Sequence, residues 1–377
     1  MRIQFIAGYD HPAYHRKVEL LADELDFDIC HVTIAGYGRT SGRYPSASGV
    51  RSYEVRAFRA GYLGRRGDPH RGFLWPPHYA LPGRHPHIVH LESDVEALGT
   101  LQVALARRLW AADARLVGYS WQNIRRQRSA AVHLVSRLVL AAADHMICAS
   151  QGAAEVLRRE GYRRGITIMP LSGVDTRLFR PADPARTRAR SGPEGFMVGF
   201  VGRLVAEKGV DLLLRAVATL PGAHVLIVGV GPQSEALADQ AAALGRAARC
   251  RFVGALPYDA TAEYIRAMDV LVLPSRTTPH WKEQFGRVLV EAMACGVPVI
   301  GTATGAIPEV IGDAGLTFPE GDAEALAAAL ARLAGDPTLR EHLAVTGPAR
   351  VQAHFTVERL AKRLADLWRS LDREGHP

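Results

Sequence analysis

Residues 279–306 read P-H-W-K-E-Q-F-G-R-V-L-V-E-A-M-A-C-G-V-P-V-I-G-T-A-T-G-A, and this stretch decides the fold class. An apolar run at 270–273 precedes it. Within it, a segment of helical periodicity at 286–294 stops at Gly296, and a second apolar run follows at 297–300. Strand, loop, helix and strand in this order predict one unit of a parallel α/β sheet.

Two carboxylates bracket the junction between this loop and the helix. Glu283 precedes the predicted helix and Glu291 lies within it, with seven residues between them. A helix amino terminus presents free N–H groups and a positive dipole end, which suits a phosphate. A carboxylate beside it suits hydroxyl groups, because it accepts several hydrogen bonds. The stretch favours a nucleotide-sugar site. Solvated helix-edge acids and a hydrolase acid–base pair remain as alternatives.

Length and composition indicate an ordinary globular protein. The chain has 377 residues, 48% of them hydrophobic, which is long enough for two domains. No apolar run approaches the roughly 20 residues of a membrane-spanning helix. The chain begins directly with a strand pattern and lacks a signal-peptide cleavage pattern. Four scattered cysteines without a C-x-x-C pair favour reduced core thiols. We therefore expect a cytoplasmic protein.

The net charge of +8 is unevenly distributed. Residues 1–190 carry 28 Lys and Arg against 17 Asp and Glu, whereas residues 191–377 carry 18 against 21. A basic first half suggests an anionic partner, either an acceptor with phosphate or carboxylate groups or the acidic lipids of a membrane surface. The alternative is a solvated arginine-rich face. Nucleic acid is not expected as a partner, because the basic residues are dispersed and no nucleic-acid-binding motif is present.

Alternating strand and helix patterns fill both halves of the chain. The best linker lies at 176–195, where three prolines and a cluster of arginines interrupt the alternation. The stretch 36–86 is predicted to be irregular and could cover an acceptor, although a poorly patterned strand pair would also explain it. The tail, 357–371, is predicted to be an amphipathic helix.

Polar residues follow the predicted strands of the first half, where ligands bind in open parallel sheets. The histidine at position 90 is embedded in an apolar strand, so a structural role and a functional role are both open. The candidates at the strand ends are Gly8, Glu92, Asp94, Trp121 and Asn123.

A second motif follows the first strand of the second half. Arg203 and Lys208 are five residues apart across a turn, so both side chains could converge on one anion such as a departing diphosphate. An ordinary charged surface loop is the alternative. The D-x-D at 26–28 lies between a helix and a strand and is not expected to bind a metal. No other metal-ligand spacing occurs in the sequence. The G-V-G-P at 229–232 is too short to specify a function.

Together these motifs resemble the retaining glycosyltransferases of family 4, which have the GT-B architecture. The resemblance rests on G-R-L-V-A-E-K-G at 202–209, V-G-V-G-P at 228–232, S-G-V-D at 172–175 and the E-x7-E of the opening stretch. It implies an α/β fold with two Rossmann-like domains facing across a cleft and a C-terminal helix crossing back to the first domain.

The resemblance also implies what each domain binds. Residues 1–178, with 355–377 packing back, would bind the acceptor, and residues 195–354 would bind the nucleotide-sugar. The donor is a co-substrate, so no permanently bound cofactor and no metal requirement are expected.

The resemblance assigns roles to individual residues of the second domain. Arg203 and Lys208 would hold the donor diphosphate, Glu283 would contact the transferred sugar, and Glu291 would bind the ribose hydroxyls. Further donor contacts are implied at Gly202, Phe285, Gly286 and the backbone near Phe252 and Val253.

The first domain departs from the family pattern. Many members carry H-x-H at the end of the corresponding strand, whereas here the sequence is His90-Leu91-Glu92. Glu92 could replace the second histidine as a catalytic group. His90, Trp121 and Asn123 are the candidates for acceptor binding.

The implied reaction is retaining glycosyl transfer to an acceptor hydroxyl, in glycan, glycolipid or natural-product biosynthesis. Rival interpretations are a sugar-nucleotide epimerase, a phosphorylase-like enzyme, for which no cofactor lysine is found, and a non-catalytic protein that binds sugar nucleotides or a membrane surface. The sugar, the base (uridine or guanosine) and the acceptor stay open. A lipid-linked acceptor would place the protein peripherally at the inner membrane face.

Overall fold

The computed structural model describes residues 1–8, 12–24, 27–34, 41–45, 51–63, 71–75, 85–182 and 195–373. The chain folds into two compact units. The first comprises Met1–Gly173 and Val357–Pro377, and the second comprises Val174–Thr356. Each unit is built around a largely parallel sheet with helical crossovers. The predicted fold class, α/β with two Rossmann-like domains, is thereby confirmed.

The first unit contains a nine-stranded sheet among its described residues. Its strand order is β3-β4-β2-β1-β6-β7-β8-β9, and β5 pairs with β4. The pairs β3–β4 and β4–β5 are antiparallel, and the other pairs are parallel. The strands are β1 Arg2–Ala7, β2 Asp28–Ile34, β3 Gly42–Pro45, β4 Ser52–Tyr62, β5 Gly72–Trp75, β6 Ile88–Glu92, β7 Arg115–Ser120, β8 His145–Cys148 and β9 Gly165–Ile168.

The second unit contains a sheet of six parallel strands in the order β12-β11-β10-β13-β14-β15. Most of these strands are buried, as expected for a parallel sheet covered on both faces. They are β10 Met197–Val201, β11 His224–Val228, β12 Cys250–Gly254, β13 Val270–Leu273, β14 Val299–Thr302 and β15 Leu316–Phe318.

Helices connect the strands of both sheets. The first unit contains α1 Pro12–Glu24, α2 Leu98–Trp110, α3 Ala130–Ala142 and α4 Gln151–Arg159. The second unit contains α5 Val210–Ala218, α6 Ser234–Ala243, α7 Tyr258–Arg266, α8 Arg287–Ala294, α9 Ile307–Ile311, α10 Ala323–Gly335 and α11 Pro337–His354. The tail forms α12 Val357–Arg373, which packs against α1 within the first unit.

The direction of the chain reverses once in each sheet. In the second unit the chain passes from β10 outward through β11 to β12, and then returns to place β13 on the other side of β10. In the first unit, likewise, β2 and β6 flank β1 on opposite sides. Such a reversal opens a crevice at the carboxyl ends of the two central strands, because their connections leave toward opposite faces.

Two sequence-based predictions need correction. The stretch 36–86 was predicted to be irregular, but its described residues include β3, β4 and β5. The alternative of poorly patterned strands was therefore the better one, since Tyr53 and Val55 alternate with polar neighbours and are buried. Helix α11 was not predicted at all, although Asp336 caps it through the Leu339 N–H at 2.9 Å. Most of the predicted linker lies outside the described residues.

Candidate functional site

The loops after β10 and β13 meet at the reversal point of the second sheet. Lys208 comes from the first loop and Glu283 from the second, and Lys208 Nζ lies 2.6 Å from Glu283 Oε2. Both side chains are largely buried, at 16% and 8% exposure. The structure therefore joins the two motifs that the sequence analysis singled out separately.

Three further residues hold this ion pair in place. The Ser275 hydroxyl donates to Glu283 Oε2 at 2.9 Å. Lys208 Nζ lies 4.7 Å from the centre of the Trp281 ring, within the range of a cation–π contact. The backbone carbonyl of Glu283 accepts from the Ala306 N–H at 3.1 Å. The carboxylate and the ammonium are thus fixed in position before any ligand binds.

The G-V-G-P turn supports the loop that carries Lys208. A Cβ added to Gly229, where φ is 138°, would lie 1.9 Å from the Gly202 carbonyl oxygen. A Cβ added to Gly231 would lie 2.2 Å from the Leu204 carbonyl oxygen. The Gly202 N–H also donates to the carbonyl of Val228 at 2.9 Å. Glycine is required here because the two backbones pass within contact distance of each other.

Arg203 occupies a different environment from Lys208. Its side chain is 70% exposed, and its guanidinium lies 4.0 Å from Glu207. Convergence of Arg203 and Lys208 on one anion stays a prediction. The exposed guanidinium could reach a ligand with little structural cost, because its pairing with Glu207 is weak.

Helix α8 begins beside the ion pair. Gly286 precedes it with φ at 76°, a left-handed conformation that glycine adopts without strain. Glu291 in this helix is buried, and its Oε1 lies 3.1 Å from Nε of Arg287. Burial raises the pKa of Glu291, although Arg287 and a hydrogen bond with Tyr258 act in the opposite direction. The carboxyl group therefore keeps its proton to a higher pH than an exposed glutamate.

The other predicted donor residues lie at different places. Phe285 is half-buried and packs against Phe355, with ring centres 5.8 Å apart. Val253 lies on the edge strand β12, two strands from β10. Gly254, the next residue, accepts from the Gly229 N–H at 2.8 Å, so the end of β12 is tied to the G-V-G-P turn.

The reversal point of the first sheet carries a second buried ion pair. Glu92 ends β6, and its carboxylate pairs with Lys17 of α1. Lys17 Nζ also donates to the Leu171 carbonyl at 2.6 Å. Both charged side chains are almost completely buried, so their mutual attraction offsets part of the cost of removing each from water. Lysine 17 was not predicted as a functional residue, although it is one of only four lysines in the chain.

His90 lies beneath this pair with no exposed surface. The Trp368 indole N–H donates to His90 Nδ1 at 3.3 Å, so the ring proton belongs on Nε2, which lies 3.3 Å from Glu92 Oε1. Phe5 stacks on the ring at 4.9 Å. Burial lowers the pKa of His90. The structure thus places His90 in the core as a neutral donor to Glu92, and its predicted contact with an acceptor stays untested.

The carboxylate of Glu92 is ionised in this setting. Burial alone would raise its pKa, but the charge of Lys17 and the hydrogen bond with His90 bring the pKa below the ordinary value. Such a carboxylate is a weak base and a good hydrogen-bond acceptor. It suits the orientation of a hydroxyl group better than the removal of a proton.

Glu92 faces a cavity of about 400 Å³ within the first unit. Gly8 and Trp121 also line this cavity, and Gln122 joins them by donating to Asp94 at 2.9 Å. The opposite wall comes from the stretch that the sequence analysis linked to acceptor binding; its residues are Tyr62, Gly72, Phe73 and Leu74. Asn123 does not line the cavity and lies near Gly152 of α4.

The described residues offer neither a cluster of metal ligands nor a helix suited to span a membrane. No group of three or more His, Cys, Asp or Glu residues in that part of the chain could hold a metal ion. No helix there has the length and apolar character needed to cross a bilayer. Asp26 of the D-x-D lies outside the described residues.

Five residues that orient the predicted ones were not themselves predicted from the sequence. They are Lys17, Ser275, Trp281, Arg287 and Tyr258. The rarity of lysine in the sequence could have drawn attention to Lys17. The i, i+4 spacing from Glu291 could have predicted the contact with Arg287. Ser275, Trp281 and Tyr258 carried no signal, because only the folded chain brings them to the carboxylates.

The second unit is similar to a known family of proteins. Residues 183–350 match the family model described as "Glycosyl transferases group 1". A D-inositol 3-phosphate glycosyltransferase of Mycobacteroides abscessus is 40% identical over 43% of this chain and 37% of its own length. A GDP-mannose-dependent monoacylated alpha-(1-6)-phosphatidylinositol monomannoside mannosyltransferase of Corynebacterium glutamicum is 34% identical over 53% of this chain and 55% of its own length. The chain therefore spans about half or less of these two relatives.

Solved structures share the fold of the whole chain. A sucrose-phosphate synthase from Thermosynechococcus elongatus superposes with a TM-score of 0.80 at 24% identity, over 99% of this chain and 100% of the other. An Anabaena protein solved in complex with UDP superposes with a TM-score of 0.78 at 20% identity, over 98% and 100%. These likenesses confirm the predicted fold, and the family match confirms the predicted resemblance for residues 183–350.

Proposed function

Since residues 183–350 match the family model of the group 1 glycosyltransferases, we propose that this protein transfers a sugar from a nucleotide-diphosphate sugar to an acceptor hydroxyl with retention. The bond between the anomeric carbon and the diphosphate oxygen breaks, and a bond to the acceptor oxygen forms on the same face. The acceptor proton goes to the departing diphosphate. This route needs no protein nucleophile, so the protein contributes position and charge.

The observation that carries the proposal is the Lys208–Glu283 pair at the reversal point of the second sheet. A lysine held beside a carboxylate offers a cation to a diphosphate and an acceptor to sugar hydroxyls within one small region. In this proposal Lys208 and Arg203 stabilise the negative charge that develops on the leaving group. Glu283 binds the transferred sugar and Glu291 binds the ribose.

The neighbouring backbone would complete the donor site. Gly202, Phe285 and Gly286 lie in the two loops that meet at the ion pair, and the α8 amino terminus offers N–H groups to sugar and phosphate. Val253 would lie near the base. Arg203 and Lys208 would supply the positive charge. We therefore propose that transfer requires no metal and persists in the presence of a chelator.

The cavity of the first unit is the proposed acceptor site. Glu92 would orient the attacking hydroxyl, and Trp121 would pack against the acceptor. His90 would act through Glu92, and Asn123, which lies outside the cavity, would reach only an acceptor that extends beyond it. An anionic acceptor fits the basic first half, and a lipid-linked one would bring the protein to the inner membrane face. The four cysteines, all within the described residues, are reduced thiols and three of them are buried, which supports a cytoplasmic location.

The proposal predicts a specific loss of function in Lys208→Ala. Loss of one charged contact to the diphosphate should weaken nucleoside diphosphate binding about 10- to 100-fold. Transfer efficiency should fall by about 100-fold or more, because the contact strengthens as charge develops. Thermal shift with a panel of uridine and guanosine diphosphates measures the first effect, and product formation measures the second.

Lys362→Ala is the matched control, since Lys362 is an exposed lysine on α12. It should bind and turn over like the unaltered protein. Incubation with donor alone tests the rival activity, because an epimerase would convert the donor without an acceptor. Rapid formation of an epimer, or the absence of any nucleotide-dependent thermal shift, would refute the proposed transfer.

A further inference from the structure

Helices α2 and α3 lie on the same face of the first sheet. The chain steps in one direction from β6 to β7 to β8, and parallel crossovers are right-handed, so both connecting helices cover one face. The two helices pack against each other. Their outer sides therefore face solvent together as one continuous surface.

This surface is apolar where a solvent-facing surface should be polar. Of the nine exposed large hydrophobic side chains in the described ranges, five lie on these two helices. Leu109 is 70% exposed and Leu134 is 57% exposed. Leu105 and Leu109 on α2, and Leu134 and Leu138 on α3, are each spaced four residues apart, so each pair forms a stripe. The set is Leu105, Leu109, Trp110, Leu134 and Leu138, and we call it the α2–α3 surface.

The charged residues around the α2–α3 surface are nearly all basic. Residues 98–143 contain seven arginines and one acidic residue, Asp113. Arg108 and Arg137 are exposed next to the leucine stripes. A cavity of about 880 Å³ at the start of α3 is lined mostly by basic side chains, among them Arg125, Arg126 and Arg137.

Some of this positive charge is already neutralised within the fold. Arg128 pairs with Glu96 and lies 2.5 Å from Glu160, and Arg107 lies 3.0 Å from Asp144. Arg108, Arg125 and Arg137 are exposed, so the surface combines apolar side chains with cations that can reach outward.

We propose that the α2–α3 surface docks on an anionic lipid bilayer. Leucine side chains gain by leaving water, and tryptophan at position 110, at the end of α2, is a residue type that favours the membrane interface. Arginine side chains can extend from a helix to reach lipid phosphates. A second copy of this chain fits less well, because symmetric pairing would bring the same arginines face to face. Docking of this kind rests on the proposed function, since it would bring the protein to a lipid-linked acceptor.

Vesicle sedimentation of the full-length protein tests the docking directly, without donor or acceptor. Binding should be strong to phosphatidylcholine vesicles containing phosphatidylglycerol, weak to pure phosphatidylcholine, and reduced by salt. The double variant Leu109→Ser with Leu134→Ser should bind about tenfold or more weakly, because two leucines no longer enter the bilayer. Arg108→Gln with Arg137→Gln should lower binding to the anionic vesicles, by about fivefold per arginine.

Matched controls come from the second unit. Val345 is 72% exposed, so Val345→Ser removes an exposed apolar side chain elsewhere, and Arg249→Gln removes an exposed arginine. Both controls should bind vesicles like the unaltered protein. The nucleotide-dependent thermal shift should persist in every variant. If the unaltered protein shows no nucleotide-dependent thermal shift, that result counts against the proposed function and not against the docking.

Three outcomes would overturn the docking proposal. The first is the absence of binding to either type of vesicle. The second is equal binding to neutral and anionic vesicles. The third is a dimer in sedimentation velocity that the Leu109→Ser, Leu134→Ser variant abolishes, since the surface would then join two copies of this chain.

Discussion

Glu92 shows how its neighbours determine the chemistry of a side chain. Position 92 holds a glutamate, and the folded chain surrounds it with Lys17 and His90. Trp368 fixes the tautomer of His90 by donating to its Nδ1. A neutral histidine at position 92 would offer no negative charge to the buried Lys17 ammonium, whereas a carboxylate stabilises that ammonium. The glutamate and the buried lysine therefore form one unit, and neither is interpretable alone.

Glu291 should make nucleotide binding depend on pH. Burial raises its carboxyl pKa above the ordinary value of 4.5, so the folded ligand-free protein holds this proton at pH values where an exposed glutamate has lost it. Ribose hydroxyls bind the carboxylate better than the acid, so binding must release the proton. Affinity should therefore rise as the pH increases through the raised pKa and then level off.

Isothermal titration of a nucleoside diphosphate across this pH range measures the effect, and buffers of different ionisation enthalpy report the released proton. Glu291→Gln should bind more weakly, and its affinity should no longer follow this rise. Persistence of the same pH dependence in Glu291→Gln would assign the titration to another group.

Loops positioned by their strands carry both candidate sites. Lys208 and Glu283 are 75 residues apart in sequence, and they meet because β10 and β13 are neighbours in the sheet. The G-V-G-P turn after β11 supports the first of these loops through Gly229 and Gly231. In the sequence this turn is too short to carry information. Its importance comes from the close approach of its backbone to that of another loop.

A methyl group at Gly229 should disrupt the donor loop. In Gly229→Ala the new Cβ would lie 1.9 Å from the Gly202 carbonyl oxygen, at a φ of 138° that side chains rarely adopt. Backbone must move, so we expect a loss of about 1–3 kcal/mol in the free energy of unfolding. Nucleoside diphosphate affinity should fall with it, because the loop also carries Lys208. Urea denaturation and thermal shift measure the two effects.

Gly335→Ala is the control for this substitution. Gly335 ends α10, and a Cβ there would meet no atom within 4 Å. Alanine should leave stability unchanged or raise it slightly, because it is the better helix former. Equal stability and nucleotide affinity in Gly229→Ala and the unaltered protein would show that the loop does not depend on this close approach.

Sequence patterns predicted the elements with strong periodicity and missed those whose signals were mixed. Strand β13, helix α8 and the tail helix α12 lie where the apolar patterns placed them. Helix α11 was missed because Pro348 lies within it and its apolar residues form no clear stripe. Its stability comes from packing against α8, a tertiary effect that no local pattern records. The same holds for the candidate site. Its charged motifs could be predicted from local sequence patterns, whereas the residues that orient them depend on tertiary contacts.

In the whole molecule, the last segment of the chain belongs to the first unit, although it follows the second unit in sequence. The last helix, α12, belongs to the first unit, where its residues Val357, Leu360, Leu364 and Trp368 are buried in the same core as β1. The second unit has a separate core of its own. Each unit therefore buries its own apolar surface and should have its own stability.

This separation predicts that Trp368→Ala destabilises one unit selectively. Trp368 has no exposed surface, and its ring centre lies 5.3 Å from those of Phe27 and His90. Its removal leaves a large cavity and should cost the first unit about 3–5 kcal/mol of unfolding free energy. Calorimetry should show one transition moving to lower temperature while a second keeps its position and its nucleotide-dependent shift. Trp110→Ala, which removes a half-exposed tryptophan from the same unit, should change stability by less than about 0.5 kcal/mol. A single transition that shifts as a whole in Trp368→Ala would show that the two cores unfold together.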